Sequence, residues 1–200
     1  MSNIGKEFES RVMLTEDEYF NIVSYFLKLH PNKQFLQIIN IYFDTTNLFL
    51  RNQHITLRAR ATNDSHYELT LKIKGSNGDD EINDTLTKNE FDLFINKKVF
   101  PSGHVRNYLL SLPYSLDSYK QLTSLYNRRL EIEENHHLIV IDKNTYSDIT
   151  DYNLEVESKD SVYSATRVIN QYVKMFNLSL VNQKYAGKAS RAIYAARNNN

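Results

Sequence analysis

The sequence predicts an α+β fold: a closed, eight-stranded antiparallel β-barrel with helices packed on the outside. Three observations lead there. First, short stretches alternate charge with hydrophobe at period two, as in Leu57-Arg58-Ala59-Arg60, Leu71-Lys72-Ile73-Lys74, Arg129-Leu130-Glu131-Ile132-Glu133 and Leu154-Glu155-Val156-Glu157. A strand sends successive side chains to opposite faces, so each stretch has one ionic and one largely apolar face. Second, the charges sort by sign, the first two stretches being basic and the last two mainly acidic. Third, the chain also contains amphipathic helices whose apolar stripes need cover, and the apolar strand faces supply it.

The elements follow in order. Strands are expected at 4–12, 37–44, 53–61, 66–74, 79–85, 125–134, 137–146 and 150–158. Helices are expected at 15–29, 87–96, 103–111, 160–177 and 187–196. The first helix opens at Thr15 with Glu18 three residues on, a capping-box arrangement, and Tyr19, Ile22, Val23, Phe26 and Leu27 form one stripe. The 160–177 segment repeats the pattern with Val162, Ala165, Val168, Ile169, Tyr172, Val173 and Phe176. Asn63-Asp64, Asn77-Gly78 and Asn135-His136 occupy hairpin-turn positions. On the third strand His54, Thr56, Arg58 and Arg60 share the polar side; on the fourth Glu68, Thr70, Lys72 and Lys74 do. With helices outside on the apolar faces, these side chains look inward. Eight strands enclose room for side chains or one small ligand.

Composition narrows the function. A chain of 200 residues fits one domain, 1–200. Its 24 basic and 24 acidic residues cancel, so there is no general pull toward nucleic acid or membranes, and neither is an expected partner. No cysteine is present, which excludes disulfides and thiolate metal sites. The start Met1-Ser2-Asn3-Ile4-Gly5-Lys6 lacks a signal-peptide core, and no run approaches the roughly 20 apolar residues of a membrane span. A cytoplasmic protein is expected. The six histidines are dispersed, with His136-His137 at a hairpin tip and no pair at zinc-binding helical spacing. Aromatic residues such as Phe20, Phe26, Tyr172 and Phe176 sit at core-facing spacing, which suits packing rather than base stacking. With five glycines and no Walker-type loop, phosphate would be held by side chains rather than by a backbone nest.

Burying many charges is costly unless they pair or bind something. Arg58, Arg60, Lys72 and Lys74 put four cations on adjacent lining positions, and guanidinium groups suit phosphate oxygens. The clustered carboxylates suit a hard divalent cation such as Mg²⁺ or Mn²⁺.

At these residues the chain resembles the CYTH domain of the triphosphate tunnel metalloenzyme superfamily, in its short, single-domain bacterial form. Glu7-x-Glu9-x-Arg11 is similar to the N-terminal Glu-x-Glu-x-Lys, Tyr42-Phe43-Asp44-Thr45 to Tyr-Tyr-Asp-Thr, and Leu57-Arg58-Ala59-Arg60 to Leu-Arg-x-Arg. Thr70-Leu71-Lys72 resembles the Thr-x-Lys strand, and Lys188-Ala189-Ser190-Arg191 the closing Lys-x-x-Arg. Glu81, Arg129, Asp142, Glu155 and Glu157 fall where later strands carry lining residues. The resemblance implies a tunnel-forming barrel that hydrolyses a small triphosphate such as tripolyphosphate, thiamine triphosphate or a nucleoside triphosphate. It implies Mg²⁺ or Mn²⁺ held by Glu7, Glu9, Glu155 and Glu157. Arg58, Arg60, Lys72, Lys74, Arg129, Lys188 and Arg191 would grip phosphate oxygens. Arg11, Asp142 and Lys188 would take catalytic roles, Asp142 by orienting the attacking water. Arg11 replaces the family lysine; it keeps the charge but cannot readily give up a proton, which fits an electrostatic role. The alternatives are a CYTH-type adenylate cyclase and a non-catalytic module that binds triphosphate or polyphosphate.

Overall fold

The structure, a computed structural model, describes residues 5–75, 79–180 and 187–198, with side chains from residue 8 onward. The expected Asn77-Gly78 turn and the side chain of Glu7 lie outside the described residues. The strands are β1 (Gly5–Leu14), β2 (Leu36–Thr45), β3 (Ile55–Thr62), β4 (His66–Ile73), β5 (Asp79–Leu86), β6 (Tyr119–Glu134), β7 (His137–Tyr146) and β8 (Ile149–Ser158). The helices are α1 (Glu16–Leu29), α2 (Phe49–Asn52), α3 (Lys88–Lys97), α4 (His104–Leu110), α5 (Val162–Met175) and α6 (Lys188–Asn198).

All strand pairings are antiparallel, in the order β1-β5-β4-β3-β2-β6-β7-β8. Among the described residues β1 pairs with β8 from Phe8 to Leu14 and with β5 at Gly5, Lys6 and Glu7. The hairpins after β3 and β6 are tight because Asn63, Asp64, Asn135 and His136 all adopt positive φ, the geometry of a turn whose twist matches its strands.

The alternating strands divide as their sequences predict. On β3, Ile55, Leu57, Ala59 and Ala61 are buried while the intervening residues are not. Together with Leu69 and Leu71 of β4 they pack under Leu50 of α2, Phe91 and Phe94 of α3, and Val105 and Leu109 of α4. Each fully buried leucine contributes about 1.5–3 kcal/mol. A second layer covers the other side: Val12, Leu130, Ile132, Ile139, Ile141, Leu154 and Val156 pack against Ile22, Val23 and Phe26 of α1 and Ala165 and Ile169 of α5. α1 and α3 each begin with a complete capping box, Thr15 with Glu18 and Thr87 with Glu90.

Three features depart from expectation. α2 was not foreseen, because its four residues are too few to show helical periodicity. It forms because the buried Asp44 carboxylate accepts hydrogen bonds from the backbone N–H groups of Thr45, Leu50 and Arg51 at 2.7–2.9 Å. β6 begins at Tyr119, not 125, since a register shift opposite Tyr42/Phe43 breaks the period-two pattern of its first half. The third correction concerns α6, which does not lie on the apolar outer faces. Its Ala192, Ile193 and Ala195 pack against Tyr42, Leu125 and Tyr146, which share strand sides with Asn40, Asn127 and Asn144. The small-residue face of α6 fits this apolar patch at one end of the barrel interior.

Candidate active site

The inward faces of the strands bound a cavity of ≈ 760 Å³. β8, β1 and β5 are neighbours in the sheet, and their lining charges are mainly acidic, Glu155, Glu157, Glu9, Asp79 and Glu81, with Arg11 among them. β3, β4 and β6 present Arg58, Arg60, Lys72 and Arg129, with Glu68 and Glu131 interleaved, and Lys74 follows at the end of β4. The sign segregation legible in the sequence is therefore only partial in space.

The deepest ionic cluster joins five elements, β1, β6, β7, β8 and α6. Arg129 donates from Nε and Nη2 to the two oxygens of Asp142 at 2.9 and 3.0 Å, directly across the β6–β7 ladder. Lys188, in the first turn of α6, reaches Asp142 at 2.8 Å and Glu155 at 2.5 Å. Arg11 donates to Glu155, its cross-strand neighbour, and to Glu9 at 2.7 Å. Burial works against the Arg11 guanidinium, but Glu155 and then Glu9 outweigh it and hold it above its ordinary value. Arg11 is thus held as a cation between the two carboxylates. Burial likewise opposes the charges on Asp142 and Glu155. Arg129 and Lys188 nevertheless pull Asp142 down to about 2, and Lys188, Arg11 and Arg129 hold Glu155 well below the usual carboxylate range.

Nearer the other charges, Arg58 donates to Glu68 at 3.2 Å and Thr70 at 3.3 Å, while Arg60 donates to Asn40 at 2.9 Å. Burial and then Arg58 push the Arg60 guanidinium down to about 10. Lys72 lies 3.4 Å from Glu81 and 3.6 Å from Asp79. Behind Arg129, a buried amide chain runs from Asn127 to Asn144, and from Asn144 to Asn153 and Asp151, each bond at 2.8 Å.

Two expected roles need correction. Asp142 is fully buried and does not line the cavity; both its oxygens serve Arg129 and Lys188, so it positions cations instead of orienting water. Arg191 is also absent from the lining: it clamps Asp151 through two bonds at 2.8 and 3.0 Å, and Tyr146 donates to the same carboxylate at 2.5 Å. This clasp seats α6 one turn beyond Lys188. The lining also takes in Glu131, Asn40 and Asn127, to which sequence reasoning gave no role, although each stands in phase with Arg129 or Tyr42 on its own strand. The Tyr42-Phe43-Asp44-Thr45 segment contributes mainly through Asp44, which anchors α2.

The lining holds carboxylates and no histidine, a hard oxygen set that suits Mg²⁺ or Mn²⁺. Glu9 and Glu157 face each other directly across β1–β8. Glu155 is drawn instead to Arg11 and Lys188. Among the described residues no three acidic or imidazole groups are already gathered as a metal cage. The described set therefore fits as an open pair, which a ligand's own oxygens would complete.

An eight-stranded antiparallel sheet that bounds a polar, ionic cavity differs in class from a lipid carrier, whose lining would be apolar. A family model for the CYTH domain matches residues 5–169, and the chain belongs to that family. A curated relative from Bacillus subtilis (strain 168), YjbK, named as a candidate triphosphatase, is 36% identical over 154 residues, covering 77% of this chain and 78% of the relative. The solved structure of a candidate adenylate cyclase from Bacillus halodurans superposes with a TM-score of 0.83 at 29% identity, covering 94% of this chain and 97% of that one. A candidate adenylyl cyclase from Hippeastrum, described as having dominant triphosphatase activity, shares the fold at a TM-score of 0.73 and 17% identity, covering 94% and 95%. Among the described residues no helix is long and apolar enough to cross a membrane.

Proposed function

We propose that this protein is a cytoplasmic, divalent-metal-dependent triphosphatase that hydrolyses inorganic triphosphate or another small triphosphate inside a closed tunnel, acting as one domain. The observation that carries the reading is the cavity itself, rich in cations on β3 and β4 and in carboxylates on β8, β1 and β5. The relative named as a candidate triphosphatase supports it.

In this reading Arg58, Arg60, Lys72, Lys74, Arg129 and Lys188 receive the phosphate chain. Glu9 and Glu157, with Glu7, hold Mg²⁺ or Mn²⁺. The ion would neutralise phosphate charge and polarise the P–O bond under attack. Arg129 and Lys188 are kept charged and aimed by Asp142 and Glu155, and this fixed positive field stabilises the charge that builds on the transferring phosphoryl group. Arg11 adds to that field and, locked between Glu9 and Glu155, spaces the two carboxylates.

Phosphate release from tripolyphosphate, thiamine triphosphate and ATP, with Mg²⁺, with Mn²⁺ and with chelator, tests the reading. Turnover of at least one substrate that stops on chelation is expected. A folded preparation that binds tripolyphosphate but hydrolyses none of the three would make it a binding module, and cyclic AMP from ATP would make it a cyclase.

A further inference from the structure

Glu68 occupies an unusual position in the cationic wall. A single oxygen, Oε1, accepts from Arg58 at 3.2 Å and lies 3.3 Å from Arg60 Nη1. The other oxygen is 3.7 Å from His66. Two guanidinium groups thus share one carboxylate oxygen. They remain under-compensated: the Nε of Arg58 is buried with no hydrogen-bond partner among the described residues. Burial and the neighbouring Arg58 also depress the Arg60 guanidinium. The placement is built into the β3–β4 ladder, where Glu68 stands opposite Arg60 and Thr70 opposite Arg58. All four residues line the cavity.

We propose that Glu68 is a resident counter-anion. It occupies the phosphoryl seat between Arg58 and Arg60 when the cavity holds no anion, and an entering phosphoryl group displaces it. The inference rests on the triphosphatase reading and names how one of its phosphate subsites is kept ready. A carboxylate brings one charge, and here one oxygen, to two planar cations. A phosphoryl group brings up to two charges and three oxygens, enough to meet both guanidinium forks and the vacant Nε donor. Displacement is therefore favourable but opposed by the pairs that must break. Glu68 sets the affinity of the seat, keeps two buried arginines from facing each other uncompensated, and helps expel the orthophosphate product.

Calorimetric titration of tripolyphosphate and of orthophosphate into the wild-type protein and Glu68→Gln, each with Mg²⁺, tests this. Glu68→Gln should bind both ligands about two- to fivefold more tightly, the scale of one lost competing ion pair. Its melting temperature should fall without ligand and recover on adding tripolyphosphate. Glu68→Asp, one methylene too short to reach both arginines, serves where the glutamine variant does not fold, and it too should bind more tightly. Unchanged or weaker binding by the folded variant overturns the counter-anion role. If the wild-type protein itself neither binds nor hydrolyses tripolyphosphate, it is the triphosphatase reading that fails.

Discussion

Asp142 carries a charge that its position alone would forbid. It is fully buried, and only the paired bonds from Arg129 and the contact with Lys188 make the carboxylate tolerable. Its folded value, about 2, lies below the ordinary 3.8, so the stability it contributes is complete above about pH 4 and is lost as pH falls toward 2. Glu155 is shifted in the same direction and adds to the same acid-labile window. Asp142→Asn removes the partner of two buried cations and should cost about 3–5 kcal/mol at neutral pH. Denaturant titrations between pH 7 and pH 2 check both points. The variant should start lower and show a shallower acid slope, and an unchanged stability at pH 7 would contradict the account. The cluster was only half legible beforehand. Arg129, Glu155 and Lys188 were visible as alternating or motif charges. That Asp142 serves them from beneath the surface depends on a cross-strand register no local spacing reveals.

At the level of elements, the strands and the longer helices follow from periodicity and capping, while the short pieces follow from buried carboxylates. α4 is the clearest case. Its first N–H groups, those of His104 and Val105, donate to the two oxygens of Asp84 at 2.9 and 2.8 Å, although Asp84 is on β5 and 20 residues back. That approach leaves no space at Gly103, where a Cβ would sit 2.3 Å from an Asp84 oxygen. Gly103→Ala must push the carboxylate off the helix end and should destabilise the fold by about 1–3 kcal/mol. Urea denaturation measures it, and a neutral result would show that the cap is dispensable. A helix near 103–111 could be expected from the sequence, but its anchor could not, because an aspartate distant in sequence supplies it. α2 was missed because four residues show no helical periodicity, although its anchor, Asp44, lies close by in the sequence. The first half of β6 was missed because a bulge erases alternation where it occurs.

Across the molecule, the strands are unevenly buried. Val140, Ile141 and Asp142 in the middle of β7 are fully buried, whereas Asp79 and Asp80 at the start of β5 are half-buried. Amide exchange should therefore be faster at Asp79 and Asp80 than in the middle of β7. Exchange measured by mass spectrometry tests this, and equal protection at the two places would refute it. α6 closes the account at this scale, because its apolar face and the Arg191–Asp151 clasp together bring Lys188 to Asp142 and Glu155. The sequence by itself determined most of the strands, the outer helices and which strand faces are ionic. Alternation, capping and helical stripes are properties of short segments, and short segments carry them. Only the tertiary structure decided which charges are paired, which are buried and which face the cavity. Those properties belong to register and to contacts between distant strands. They are why Arg191 is a clasp rather than a lining cation, and why one oxygen of Glu68 stands between two arginines.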